Sequence, residues 1–151
     1  MTDPNALINY TAMLYFLKGT TLLYAGQEKA ATHRPGLFDK DPVEWETGTD
    51  LTPLMQRLAA IKKEVLSPED RFLAEAEKED IAVCRRSGNG VEKAGVFSLK
   101  GLAGPVSIDA PEGTYENLID GSAVTVQDGT LFCGGSPVII TWPAKGGAGT
   151  V

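Results

Sequence analysis

The stretch GTTLLYAGQE, Gly19 to Glu28, poses the question on which the fold turns. Its apolar run, Leu22-Leu23-Tyr24, stops abruptly at Gly26-Gln27-Glu28. A short apolar run without polar alternation is the pattern of a strand buried in a parallel sheet. Such a strand would deliver Gln27 and Glu28 to a working loop. Parallel strands need neighbours reached by crossovers, however, and a single βα unit cannot supply them.

The surrounding segments repeat the puzzle. Asp3-Pro4 is a helix start, since Asp caps free amides and proline is tolerated in the first turn. ALINYTAMLYFLK follows, apolar on nearly every face, and Lys18-Gly19 supplies a stop. A helix of that kind is expected to be buried on nearly every face. A loop from Ala25 to Asp50 comes next, broken at Pro35-Gly36 and Asp41-Pro42, and Phe38 and Trp45 are expected to pack beneath it. Thr52-Pro53 then caps a second helix with a stripe of Leu54, Leu58, Ile61 and Val65, ended by Ser67-Pro68. Residues 3 to 65 therefore read as helix, strand, loop, helix, a piece of a larger α/β domain.

From Phe72 onward the pattern changes to strands and tight turns. Ile81 and Val83, Val106 and Ile108, Val124 and Val126, and Val138, Ile140 and Trp142 each alternate with smaller or polar neighbours. Asp128-Gly129 is a two-residue hairpin signal, and Gly88-Asn89-Gly90 and Asp120-Gly121 mark further turns. Seven or eight strands at this spacing predict an antiparallel sandwich or barrel.

Composition narrows the function classes. The 151 residues include 20 acidic and 14 basic side chains, a net charge of -6. That balance disfavours nucleic acid as a partner, because phosphate backbones call for a basic face. No apolar run reaches the ~20 residues of a membrane span, and MTDPNALINY lacks the basic start of a signal peptide. The compartment stays open, with the cytoplasm favoured. Cys84, Cys133 and the single His33 show no metal-ligand spacing. The cysteines read as partly buried strand thiols, and a disulfide between them requires only that their strands be neighbours. Asp39-Lys40-Asp41 with Glu44 and Glu46 reads as a solvated charge cluster, lacking the arrangement of a calcium loop. No metal and no cofactor are expected.

These segments, taken together, resemble the alpha-amylase family of glycoside hydrolases. GTTLLYAGQE is similar to the family's G-T-P-L-I/L-Y-x-G-Q/D-E segment, the eighth strand of a TIM barrel and the start of the loop after it. Thr21 stands where proline is common. LFDKDPVEWE and DLTPLMQRLAAIKKE resemble the final loop and the eighth barrel helix. GTYENLIDGSAVTVQDGTLFCGGSPVIITW resembles the sandwich after the barrel, often called domain C. The resemblance implies an α+β fragment, a partial TIM-barrel α/β segment followed by an all-β antiparallel sandwich of Greek-key type. Residues 1–66 would be the barrel remnant, 67–145 domain C, and 146–151 a disordered tail.

It also implies an α-glucan or maltooligosaccharide substrate for the parent enzyme and a pair of catalytic carboxylates. In the family those carboxylates end the fourth and fifth strands. A third Asp, in an Asn-His-Asp-like motif, ends the seventh. That motif belongs upstream of Pro4, and Thr32-His33-Arg34 does not match it. The chain is accordingly expected to be an inactive C-terminal fragment, cut inside or just before the seventh barrel helix, with no catalytic residue of its own.

The candidate substrate-binding residues, in the parent context only, are Gln27, Glu28, His33 and Arg34. The preferred reading makes Gln27 and Glu28 anchors of their loop and leaves His33 and Arg34 exposed. Of Arg85 and Arg86, strand alternation turns one inward, to pair with a strand carboxylate. Tyr115 and Trp142 are the sugar-stacking candidates of the β half, although Trp142 shares the face of Val138 and Ile140 and reads as core. Self-association through residues 4–30 is expected from the uncovered apolar helix. The competing class is a carbohydrate-binding or self-association β-sandwich module.

Overall fold

Asp3 opens the first helix, α1 (Pro4–Phe16), its carboxylate accepting the Asn5 amide at 3.0 Å with Pro4 in the first turn. The computed structural model describes residues 3–33, 36, 38–78 and 80–144, the side chains of 76–78 excepted. The expected tail at 146–151 lies outside the described residues. α1 ends at Phe16, before the Lys18-Gly19 stop, with Leu17 already extended and donating its amide to Met13. Its buried residues are Ala6, Asn9, Thr11, Ala12, Tyr15 and Phe16, while Leu14 is exposed. The expectation of burial on nearly every face thus fails on one side. Only the faces toward the sheet and the second helix find cover.

The expected strand at Thr20–Tyr24 does not form. These residues carry no regular structure, and none of the strands pairs with them. Leu22 is 83 % exposed, and Leu23 and Tyr24 are exposed beside it. A strand exists through the ladder on its edges, and with no adjoining strand its backbone groups turn to solvent. A single 3-10 turn follows at Gln27–Lys29, entered through Gly26 at φ 95°.

The second helix, α2 (Thr52–Glu64), is entered through Asp50, whose Oδ1 accepts the Thr52 amide at 3.0 Å. The cap position expected at Thr52 falls on Leu51, which makes no side-chain cap bond, and the Asp50 carboxylate serves the Thr52 amide from outside the helix. Met55, Leu58 and Ile61 are buried, with Leu54 and Val65 at the margins of that face.

Eight strands follow: β1 (Arg71–Lys78), β2 (Ile81–Gly88), β3 (Val91–Ser98), β4 (Gly104–Ser107), β5 (Gly113–Glu116), β6 (Ala123–Gln127), β7 (Thr130–Cys133) and β8 (Val138–Pro143). They form two antiparallel four-stranded sheets, β1-β2-β3-β8 and β4-β7-β6-β5. The second order is that of a Greek key. Asn89-Gly90 and Asp128-Gly129 lie at φ 54° and 75° and at φ 52° and 70°. Positive φ at both central residues matches the turn to the strand twist, which is why these dipeptides signal hairpins.

Strand alternation separates two cores. Ile81, Val83, Ala94, Val96, Val138, Ile140 and Trp142 face the second sheet and meet Val106, Val124, Val126 and Leu131. On the opposite face of the first sheet, Cys84, Phe97 and Ile139 join Ala12, Tyr15, Phe16, Met55, Leu58 and Ile61. The molecule is therefore three-layered, with the helices, the first sheet and the second sheet in that order. Gly95 makes the helix-sheet contact close. A Cβ there would lie 2.5 Å from the Phe97 ring, which packs at 5.7 Å and 60° on Phe16.

Polar anchors fix the helices on the sheet. Asn9, fully buried, donates to the carbonyls of Asn5 at 2.8 Å and Gly135 at 2.9 Å and accepts the Ser98 amide at 2.8 Å. Asp70, Arg86 and Lys93 form a buried ionic cluster. Arg86 Nε lies 3.0 Å and Lys93 Nζ 2.8 Å from the Asp70 carboxylate. Arg86 also donates to the carbonyls of Phe16 (2.8 Å) and Ser67. The inward guanidinium is thus that of Arg86, but its carboxylate comes from the turn before β1 rather than from a strand.

Candidate functional site

The loop from Ala25 to Asp50 carries the candidate residues, and the left-handed Gly26 lets it turn back on itself. A side chain there would also collide with Val43, 2.9 Å from an added Cβ. Gln27 Oε1 accepts the Tyr24 amide, and Glu28 Oε2 accepts the Gly26 amide at 3.2 Å. The Glu28 carbonyl accepts the Leu51 amide at 2.6 Å, tying the 3-10 turn to the start of α2. Lys29 pairs with Asp50 at 3.4 Å across the same junction, and Thr47 donates to the Lys29 carbonyl.

His33 Nε2 sits 2.8 Å from Asp41 Oδ2, and the Gly36 amide donates to the same oxygen at 2.7 Å. The Gly36 amide and then the His33 ring hold the Asp41 carboxyl below its ordinary range. Asp41 is therefore engaged, whereas Asp39, Lys40, Glu44 and Glu46 are exposed, as a solvated cluster would be. Arg34 lies outside the described residues. Phe38 and Trp45, expected beneath the loop, are 96 % and 51 % exposed. Neither ring joins the helix-side core, which the loop meets through Ala30.

The candidate residues do not converge on one cavity. Gln27 and His33 line a pocket of ≈ 110 Å³ with Tyr24, Pro42, Val43 and Glu44. Glu28 lines a wider concavity of ≈ 640 Å³ with Tyr15, Leu23, Tyr24, Met55 and Gln56. Each holds a single carboxylate among its lining residues, and retaining glycoside hydrolysis needs two, about 5 Å apart. A further pocket of ≈ 340 Å³ includes Asp3, Glu44 and Glu46 in its lining, with Asp3 already committed to the α1 cap. Among the described residues no group of three or more His, Cys, Asp or Glu is arranged to hold a metal ion.

In the β half, Trp142 is buried in the sandwich core, with Tyr115 edge-on at 6.2 Å and the Arg85 guanidinium 5.6 Å from its ring centre. Arg85 pairs with Glu92 at 3.2 Å and Asp109 at 3.0 Å. Cys84 and Cys133 are free and belong to different cores, on the helix side and the sandwich side of the first sheet. Burial pushes the Cys84 thiol up to about 11.

With this geometry in view, residues 73–140 match the family described as the bacterial alpha amylase C-terminal domain. This part of the chain is similar to that C-terminal domain. The alpha-amylase likeness extends further in three dimensions. The chain superposes on an alpha-amylase from Lactobacillus plantarum with a TM-score of 0.82 and 29 % identity, over 94 % of this chain and 34 % of that one. A noncanonic maltogenic alpha-amylase from Thermotoga neapolitana matches in fold with a TM-score of 0.78 and 15 % identity, over 94 % of this chain and 37 % of that one. An alpha-amylase from Geobacillus thermoleovorans, solved in complex with acarbose, matches in fold with a TM-score of 0.71 and 14 % identity, over 95 % of this chain and 34 % of that one. The chain thus spans about a third of the length of these alpha-amylases. Curated protein sequences gave no match.

Proposed function

We propose that this chain is the C-terminal portion of an enzyme acting on α-glucans or maltooligosaccharides. Residues 1–66 correspond to the closing βα element of its (β/α)8 barrel, and residues 67–145 to the sandwich that braces that element. The observation carrying this reading is the superposition on the Lactobacillus plantarum alpha-amylase. At 94 % of the chain it reaches well outside residues 73–140, into the helical segment. The exposed run Leu22-Leu23-Tyr24 agrees with it, being apolar sequence suited to a sheet interior yet left without a ladder.

The bracing role rests on the shared helix-sheet core and on the Arg86 bridge from Asp70 to the end of α1. In the parent barrel, Gln27, Glu28, His33 and Arg34 would stand at the sugar-facing end of the closing strand. This chain alone supplies no opposed carboxylate pair in the pockets of Gln27 and Glu28, so it is inactive by itself. Its uncovered surface at residues 4–30 drives self-association.

The test is an assay of the purified chain on starch and maltoheptaose, with titration calorimetry on maltoheptaose in parallel. No turnover and no binding heat are expected. Retaining hydrolysis overturns the proposal, and millimolar or tighter binding without hydrolysis favours a carbohydrate-binding sandwich instead.

A further inference from the structure

The buried ionic cluster is unbalanced. Asp70 brings one carboxylate and Arg86 and Lys93 bring two cations, all buried. Lys62 adds a third cation at the edge, bonded to the Leu17 carbonyl at 3.3 Å and to Thr21 Oγ1 at 2.7 Å. Burying unequal charge is costly unless a counter-charge is held nearby.

A pocket of ≈ 250 Å³ opens at this spot, lined by Gly19, Thr20, Lys62, Leu66, Ser67, Pro68 and Arg86. Lys62 and Arg86 both line it, and among the described residues neither has all its donors engaged. A guanidinium has five N–H groups, and Arg86 uses three, on Asp70, Phe16 and Ser67. The Lys62 ammonium has three and uses two. The pocket lining contains no Asp or Glu. Desolvation and then the Arg86 charge hold Lys62 below its ordinary range, which agrees with an electropositive wall.

We infer that this pocket between Lys62 and Arg86 is an anion site that takes a tetrahedral oxyanion of the phosphate or sulfate class, free or as a phosphate monoester. Arg86 provides a fixed, planar donor face, which suits such an anion better than a point charge does. Lys62 closes the open side. The bound anion balances the cluster and ties α2 to the turn at Ser67-Pro68. The inference is independent of the glucan reading, because it uses neither the Gln27-Glu28 loop nor a sugar.

Thermal unfolding of the whole chain tests it, in inorganic phosphate, in glycerol phosphate, and in sodium chloride of matched ionic strength. Phosphate is expected to raise Tm saturably, by about 3 °C at ten times its Kd, with chloride giving less. Lys62→Gln removes most of the increment, whereas Lys63→Gln, on the neighbouring exposed lysine, keeps it. Amide NMR of the unaltered chain gives a readout that needs no variant, with saturable phosphate-dependent shifts expected at Gly19, Thr20 and Ser67. A response to glycerol phosphate as well means the pocket admits esters, and a response to phosphate alone restricts it to the free ion. A non-saturating response equal to that of chloride, an increment unchanged in Lys62→Gln, or shifts absent from those amides overturns the inference.

Discussion

Asp70 Oδ2 accepts from Arg86 Nε at 3.0 Å while Lys93 holds the same carboxylate at 2.8 Å, all three side chains buried. Through the Arg86 bond to the Phe16 carbonyl, this contact fastens the end of α1 to the first sheet.

Asp70→Asn is expected to cost about 3–5 kcal/mol, because it leaves buried cations without their carboxylate. Urea unfolding measures the loss. The pH dependence has a definite sign. Desolvation raises the Asp70 pKa, but it is outweighed by hydrogen bonds from Lys93 and the Ser67 amide, the Lys93 charge and the Arg86 bond. The folded carboxyl therefore titrates below its ordinary 3.8. The unfolded state binds the proton more readily, so the stabilisation is complete above about pH 5 and is lost as pH falls through the folded value. The stability gap between the unaltered chain and Asp70→Asn should shrink steadily in acid. A gap that is constant from pH 6 to pH 2 would contradict this.

Asn9→Leu is expected to destabilise by about 2–3 kcal/mol despite its apolar gain. It strands the buried Ser98 amide and removes the donor to Gly135. Hydrogen exchange at Ser98 should accelerate along with the drop in the unfolding midpoint. An unchanged Ser98 amide would show that Asn9 is not the tie between α1 and β3.

Replacing Leu22, Leu23 and Tyr24 together by serine removes exposed rather than buried apolar surface, so stability should change by less than about 1 kcal/mol. Sedimentation velocity should show self-association of the unaltered chain and its loss in the triple variant. Equal oligomer content in both would place any association elsewhere.

The Cys84 thiol, pushed up to about 11 and buried, should resist thiol reagents at pH 8, and buried Cys133 should behave likewise. Native labelling is expected to be near zero and to reach both thiols in denaturant. Fast labelling of Cys84 in the native chain would show that the helix layer opens readily.

The β half was largely legible because its signals are local. Asp128-Gly129 and Asn89-Gly90 fix their turns through backbone conformation, and the Val-Ile alternation assigns faces without reference to distant residues. Trp142 was readable as core for the same reason. Thr20–Tyr24 was misleading, since a strand is a property of paired chains and the composition of one chain cannot show whether a partner is present. Phe38 and Trp45 were misread because aromatic size alone does not seat a loop side chain against a core. Asn9, buried within an apolar helix, and Asp70, in the turn that completes Arg86, are long-range pairings, 126 and 16 residues from Gly135 and Arg86 respectively. No periodicity reveals such partners. For the candidate loop, the sequence names Gln27, Glu28 and His33 but could not show that Gln27 and His33 would line one cavity and Glu28 another.

The first sheet has one consequence for how the chain reaches this form. β3 and β8 are ladder partners, Gly95 opposite Ile139, yet the whole second sheet lies between them along the chain. β8 can zip onto β3 only after that intervening length has closed into a loop, and closure costs entropy before any hydrogen bond returns it. Folding is therefore expected on the millisecond-to-second scale of non-local β topologies rather than at the speed of its two helices. The last native contact to form would be the β8 edge, where Ile139 meets the helix-side core.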